Sequence, residues 1–333
     1  MEVIQPDRYS KIFAVVNPVA GSANVDLLLT KLRENCSRRG WEYEVYLTTG
    51  DEDLPALVRD AIRLGSDLVV AAGGDGTVSG VANGLVGTQV PMAIVPVGTG
   101  NVLARDRGIS VNLNESLNLF SHSHAIQELD VMRINKRYYV LNASMGLSTM
   151  IMQNTLREDK RRFGIAAYVW VGIKSVFMTR PIVFYLSVDR HKNRLRATEV
   201  LIANGTLMGW QPPMQGLNVS PCDGLLDVFV LRAAAPLDFL RVGMRWLLGK
   251  PHPNPEIKHL TATHSIVIRS RRPQAVQADG ELIGYTPIQV EIVPRSLRLV
   301  VPLPEARDTP PEAGNGARWL HQAFSMENPD KER

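Results

Sequence analysis

Cysteine is almost absent from this chain of 333 residues. Cys36 and Cys222 are the only two, which excludes a disulfide framework and every cysteine-based zinc spacing. No run of about 18 uncharged apolar residues occurs, so no membrane-spanning helix is expected. The first residues, Met1-Glu2-Val3-Ile4-Gln5-Pro6-Asp7-Arg8, lack the basic-then-apolar layout of a signal peptide, and the expected location is the cytoplasm. Charge of one sign is also scarce. The 37 basic and 33 acidic residues leave +4, too mild for a nucleic-acid partner but compatible with weak attraction to an anionic membrane. Two phosphate-binding signatures are missing. No Gly-x-x-x-x-Gly-Lys-Ser/Thr run exists, and the dinucleotide pattern Gly-x-Gly-x-x-Gly fails at Ser79 and at Leu103, so a P-loop lysine and hydride transfer are both excluded. The seven histidines are scattered, and His122 and His124 in their Ser-His-Ser-His setting are read as solvated rather than as metal ligands.

What remains is ample. Apolar residues are 45% and charged residues 21%, enough for a sizeable core, and the length favours two domains. In the first third, the apolar runs Ile12–Val16, Asp67–Ala72 and Met92–Val95 alternate with segments of helical period and are each followed at once by a turn-rich loop. That is the form of an α/β domain on a parallel sheet, expected over 1–129. From Asp130 the runs become closely spaced and strand-like: Tyr138–Ala143, Ile182–Val188, Val200–Ala203, Leu226–Leu231, Ser265–Arg269 and Ile288–Val293. A mostly antiparallel β-sandwich over 130–303 is expected. The stretch Phe163–Phe177 reads as a buried or interface helix, Leu207–Leu217 as a loop, and Pro-rich 304–333 as a flexible or peripheral tail with a short helix at Ala317–Met326.

Ligands of open α/β sheets bind beyond the carboxyl ends of the strands, so the three loops should converge on one site. The strongest is Gly73-Gly74-Asp75-Gly76-Thr77, where three glycines allow unusual backbone and close approach to an anion at the start of a helix. Asp75 beside phosphate oxygens would be repulsive without a cation between them, which points to an Mg²⁺–nucleotide complex. Pro96-Val97-Gly98-Thr99-Gly100-Asn101 adds a hydroxyl and an amide for phosphate or sugar, and Asn17-Pro18-Val19-Ala20-Gly21-Ser22 brings Asn17 to the same rim.

Two acidic segments follow. In Asp279-Gly280-Glu281, residues i and i+2 of an extended segment would face one side and share a pocket, although Asp-Gly is also a common hairpin turn, the stronger reading on pattern alone. Asp223-Gly224-Leu225, preceded by Ser220, offers oxygen donors for a hard cation or a plain type I turn. The cluster Arg157, Lys160, Arg161 and Arg162 is diluted by Glu158 and Asp159 and reads as a solvated helix start.

Together these residues resemble the soluble lipid kinases with a diacylglycerol-kinase catalytic domain, the bacterial diacylglycerol kinases and their sphingosine- and ceramide-kinase relations. The resemblance spans about 10–303 and rests on NPVAGS at 17–22, GGDGTV at 73–78, PVGTGN at 96–101, DGLLDV at 223–228 and DGE at 279–281. It implies a first domain similar to NAD kinases and phosphofructokinases, ATP and Mg²⁺ as cofactors, and transfer of the γ-phosphoryl group to a lipid hydroxyl at a membrane surface. Peripheral membrane contact and a homodimer are compatible with it. It further implies that Thr48, the loop Gly73, Gly74, Asp75, Gly76, Thr77, Val78 and Ser79, and Thr99 bind ATP, with Asn17, Gly98 and Asn101 lining the same rim. The carbonyls of Ser220 and Leu225, with Asp223, would hold a structural Mg²⁺. Glu281 would accept the hydroxyl proton, with Asp279 beside it. One departure stands out: bacterial diacylglycerol kinases usually carry Asp after the Asn of the second loop, whereas Val102 stands here, and the GN-V-L-A form looks closer to sphingosine kinases. An NAD kinase-like enzyme, a catalytically weak ATP- or lipid-binding regulator and a lipid-transfer module are the alternatives.

Overall fold

A computed structural model describes residues 2–21, 24–154, 179–205, 219–247 and 255–303. The chain opens with β1 (Glu2–Ile4) and winds through β2 (Lys11–Val16), α1 (Val25–Arg39), β3 (Glu42–Leu47), α2 (Leu54–Arg63), β4 (Leu68–Gly73), α3 (Asp75–Leu85), β5 (Met92–Pro96), α4 (Val102–Asp106) and α5 (Leu113–Ser121). Strands β2, β4 and β5 are apolar and buried along nearly their whole length, as strands of a parallel sheet covered on both faces must be. They pair in parallel in the order β3-β2-β4-β5. Capping fixes where the flanking helices begin. Asn24 and Asp53 accept from the Leu27 and Ala56 amides at 3.0 Å, and Gly40, at φ 68, ends α1.

The second half contains β6 (His124–Ile134), β7 (Arg137–Tyr139), β8 (Asn142–Gly146), α6 (Leu147–Asn154), β9 (Ile182–Val188), β10 (His191–Ala197), β11 (Glu199–Ala203) and β12 (Leu226–Leu231). After them come α7 (Pro236–Leu247), β13 (Ile257–Ala262), β14 (Ser265–Ser270), β15 (Ala275–Ala278), β16 (Glu281–Tyr285) and β17 (Ile288–Val301). An antiparallel sheet in the order β13-β12-β11-β8-β15-β16 packs against β10-β9-β14-β17 and β6. Met145, Phe184, Ile202, Val228, Ile266 and Val290 fill the space between the layers. The fold is therefore an α/β domain with a mostly parallel sheet followed by an antiparallel β-sandwich.

One strand joins the halves. The first part of β17 pairs antiparallel with β14, its end pairs in parallel with β5 at Leu299↔Met92, and β6 runs beside it antiparallel from Ile134 to Ala125. Between Val293 and Leu297 the register shifts, and Arg295 takes φ 47. The wholly buried Asp130 secures this bulge by accepting from the Arg295 amide at 2.8 Å and the Gly224 amide at 2.7 Å. The expected division at 129/130 falls inside β6.

Several elements differ from the sequence reading. The run Tyr138–Ala143 splits into β7 and β8 because the amides of Val140 and Leu141 turn aside to the Asp279 carboxylate. Strand β17 runs eight residues past Val293, to Val301. His124, read as solvated, is wholly buried: its ring bonds the Tyr9 hydroxyl at 2.9 Å and stacks on that ring, and burial pushes its pKa down. β6 is buried over consecutive residues between β1 and β17, and that position overrides the polar look of its start. The segments Phe163–Phe177, Leu207–Leu217, Arg157–Arg162 and Ala317–Met326 lie outside the described residues.

Leu299 is fully buried where β17 enters the parallel sheet. Leu299→Ala is expected to lower stability by about 2–5 kcal/mol in urea unfolding, the range for a buried leucine truncation. Because the strand links the parallel strands and the sandwich within one sheet, far-UV and near-UV signals should be lost in one transition; two separated transitions would show that it does not couple the halves.

Candidate active site

The three loops at the carboxyl ends of β2, β4 and β5 meet backbone to backbone. A Cβ on Gly98 would lie 2.4 Å from the Gly74 Cα, one on Gly21 would lie 2.0 Å from the Val97 carbonyl oxygen, and one on Gly73 would lie 2.4 Å from Thr77 Oγ1. Gly73, Gly98 and Gly100 are required by room rather than by φ, since a Cβ on each would meet atoms within 2.5 Å and none takes a left-handed φ, whereas Gly21 combines close approach with φ 62. The Val97 amide donates to the Gly73 carbonyl at 3.2 Å, and Asn17 donates through Nδ2 to Thr77 Oγ1 at 3.3 Å. Asn101 sits at φ 50 and closes its own loop, accepting from the Gly98 amide at 3.0 Å and donating to the Gly98 carbonyl at 2.6 Å. Thr99 stays exposed at the rim. Thr48, nearly buried, is tied to β2 by its amide, 2.9 Å from the Val16 carbonyl. Val78 packs into the core beneath α3, and Ser79 is half-buried.

Asp75 begins α3 and reaches across to the second loop. Its Oδ1 accepts the Val102 amide at 2.6 Å, and Oδ2 lies 2.5 Å from where a Cβ on Gly100 would stand. The carboxylate thus clasps the first turn of α4, and Gly100, a position the sequence reading did not single out, is what lets it approach. The Gly-x-Gly spacing of Gly98 and Gly100 was the signal available for it.

The sandwich brings its own acidic segment to this rim. Asp279 and Gly280, at φ 46 and φ 86, form the two-residue turn between β15 and β16, the left-handed pair that a type I′ hairpin requires. The segment is not extended, so its two carboxylates part instead of sharing one side. Asp279 turns inward and accepts from the amides of Val140 at 2.7 Å and of Leu141 and Asn142 at 3.0 Å. Burial outweighs these three donors, with the charge of Asp75 adding to it, and pushes the Asp279 carboxyl up to about 6. Glu281 points outward: its Oε1 is 3.9 Å from the Cβ position of Gly76. Burial pushes the Tyr139 phenol up, and the charges of Glu281 and Asp279 push it the same way. The glycine-lined rim and Glu281 therefore face each other across the two halves of the molecule.

Residues 11–134 match the family model described as the diacylglycerol kinase catalytic domain, and residues 142–301 match the one described as the YegS C-terminal NAD kinase beta sandwich-like domain. A protein of Stenotrophomonas maltophilia named as a probable lipid kinase, YegS-like, is 30% identical over 79% of this chain and 88% of its own. The chain belongs to this family of lipid kinases. The diacylglycerol kinase of Bacillus subtilis is 26% identical over 88% of this chain and 96% of its own. A crystal structure of a diacylglycerol kinase from Bacillus anthracis superimposes with a TM-score of 0.72 at 25% identity, covering 88% of this chain and 98% of that one. Lipid kinases are ATP-dependent phosphotransferases, and this chain is an enzyme of that class.

Away from the rim of the kinase, Asp223 is exposed and accepts the Leu225 amide through Oδ1 at 3.0 Å, with Gly224 at φ 75 completing the turn. The turn lies beside Asp130, which grips the Gly224 amide. Among the described residues, no three His, Cys, Asp or Glu side chains gather as a metal cage, and no helix is long and apolar enough to cross a membrane.

Gly98→Ala would force the Gly74 and Gly98 backbones apart. We expect a stability loss of about 1–3 kcal/mol, the usual cost of overpacking, together with weakened ATP binding by calorimetry. Gly243→Ala, in α7 with nothing within 4 Å of its Cβ position, is the control and should be neutral or slightly stabilising. Equal behaviour of the two variants would contradict the close-approach account.

Proposed function

We propose that this kinase transfers the γ-phosphoryl group of ATP to a hydroxyl of a membrane lipid, diacylglycerol or a close relative. The reading is carried by Glu281 Oε1 beside Gly76, a free carboxylate from one half of the molecule facing the anion-binding loop of the other. The start of α3 and the amides around Gly74 to Gly76 suit the β- and γ-phosphates, since a helix N-terminus favours negative charge. Thr99 and Thr48 border the same rim.

Catalysis of phosphoryl transfer is mostly alignment and charge neutralisation. The lipid hydroxyl oxygen forms the new bond to the γ-phosphorus as the bond to the β-phosphate bridging oxygen breaks, ADP leaves, and Glu281 takes the hydroxyl proton. Asp279 holds the hairpin that carries Glu281. Mg²⁺ bound with the nucleotide supplies charge neutralisation for the phosphates, and Asp75 is the carboxylate on hand for it. At the second position, the carbonyls of Ser220 and Leu225 with the remaining oxygen of Asp223 form an all-oxygen set suited to a hard cation.

A membrane-borne acceptor fits a feature of α7. Leu237, Leu240 and Met244 are exposed on one face of the helix, with Arg241 among them, the arrangement of a helix lying on an anionic lipid surface.

The test is incubation of purified protein with labelled ATP, Mg²⁺ and micelles of diacylglycerol, sphingoid or monoacylglycerol lipids, alongside NAD. Labelled lipid is expected; label on NAD instead, or on nothing, overturns the reading. Glu281→Ala should lower kcat by on the order of 10²–10⁴, as loss of a general base does, while ATP binding and the thermal midpoint hold. Turnover near wild type in that variant would remove Glu281 from its role.

A further inference from the structure

The outer face of the antiparallel sheet carries a row of buried polar side chains that no step above uses. Glu199, Ser148, Ser144, Gln277 and Asn142 are all at most 9% exposed, and they come from four elements: β11, α6, β8 and β15. The Ser148 amide donates to Glu199 Oε2 at 2.9 Å, and the Ser148 hydroxyl donates to Oε1. Ser144 Oγ lies 2.7 Å from Ser148 Oγ, and Gln277 Nε2 lies 2.7 Å from Ser144 Oγ and 2.9 Å from Asn142 Oδ1. At the far end, Gln277 Oε1 accepts the Gly280 amide at 3.0 Å. Gly280 is the residue between Asp279 and Glu281.

The order of protons along this row is dictated from one end. Burial pushes the Glu199 carboxyl up to about 7; in its ionised form it only accepts, so the Ser148 hydroxyl then gives its proton to Glu199, and Ser148 Oγ is left to accept from Ser144. Ser144 has then used its proton and can only accept from its next neighbour. Gln277 must therefore present its NH₂ group to Ser144, which leaves its carbonyl oxygen for the Gly280 amide. The reversed amide would set NH₂ against N–H at the hairpin. Unpaired buried groups of this kind cost about 1–3 kcal/mol each, so with Glu199 ionised the row has one satisfied arrangement.

We infer that Glu199 is a positioning residue for the proton acceptor, acting through Ser148, Ser144 and Gln277 to lock the Gly280 amide and so the place of Glu281. This rests on the lipid-kinase reading with Glu281 as the base. The sequence shows no trace of it, because the five residues are scattered over 136 positions, from 142 to 277, and only the sheet register, Glu199↔Gly146 and Gln277↔Ser144, puts them in a row.

The test moves the charge from one end to the other. Glu199→Gln leaves the row without a fixed direction, and kcat is expected to fall by up to about 10²-fold, the scale for a displaced catalytic group, with KM for ATP unchanged. In the double variant Glu199→Gln/Gln277→Glu, the acceptor for Gly280 is restored whichever way the row runs, and most of kcat should return. Gln277→Leu removes the links to Ser144, Asn142 and Gly280 together while leaving Glu199 and Ser148 in place, and should lose kcat as Glu199→Gln does, which covers the case in which Glu199→Gln fails to fold. Wild-type kcat in Gln277→Leu, or a double variant no better than Glu199→Gln, overturns the proposal. Hydrogen–deuterium exchange of the peptide around Gly280 needs no substrate: faster exchange in Gln277→Leu is expected even if no lipid is phosphorylated, and unchanged exchange sinks the positioning claim by itself.

Discussion

Two strands hydrogen-bonded along their length, β6 and β17, hold the site together. Neither half of the chain contains the whole candidate site: the glycine-lined rim belongs to the parallel strands and the exposed Glu281 carboxylate to a hairpin of the sandwich. If the halves met only through side chains, their relative placement would follow the small surplus that such interfaces leave, and motion between them would be the default. A continuous backbone ladder is stiffer. With Leu299 paired to Met92 of the first half and Val290 to Ile134 of the second within one eleven-stranded sheet, the separation between rim and hairpin is set by strand geometry. The bulge between Val293 and Leu297 lets one strand pair antiparallel with β14 at one end and in parallel with β5 at the other, and Asp130 satisfies the amide that the bulge would otherwise strand.

Within the rim, steric exclusion rather than attraction is the governing constraint. Loops carrying Cβ atoms at 21, 98 and 100 could not approach to the distances seen. The acidic residues show the complementary principle. Asp75, Asp130 and Asp279 each direct carboxylate oxygens at backbone amides, where charge-assisted hydrogen bonds are strongest. Three of the acidic residues that matter most to the site therefore shape it, and Glu281, the one left exposed beside the rim, is free to act.

How much of this was legible in the sequence depended on whether the signal was local. β2, β4, β5, β9, β11 and β12 read cleanly because buried strands are apolar runs bounded by turns. The three loops read cleanly because glycine at strand ends is rare without cause. β10, with the sequence HKNRLRA, did not: its residues face water, and its pairing to β9 is set by a partner rather than by its own pattern. The reason for the glycines was also misjudged in the sequence, since close approach and positive φ leave the same letter. The Asp-Gly pair at 279–280 posed a choice between a turn and a site that the fold dissolves, because the turn is the device that delivers Glu281. The row from Glu199 to Gly280 was unreadable, as it exists only once four elements are in register.

Val102 gains its meaning from the same geometry. Bacterial diacylglycerol kinases were expected to carry an acid at this position, yet what Asp75 grips here is the backbone amide of residue 102, which any side chain except proline supplies. The clasp between the second loop and α3 is therefore indifferent to the replacement, and what changes is charge. Asp279 already lies in the field of Asp75, which helps raise its carboxyl toward neutrality. A further carboxylate at 102 would stand beside Asp75 and strengthen that repulsion unless a cation lay between them. With valine the rim carries one negative charge fewer than an aspartate there would give it. The substitution leaves the clasp between the second loop and α3, and with it the architecture of a lipid kinase, intact.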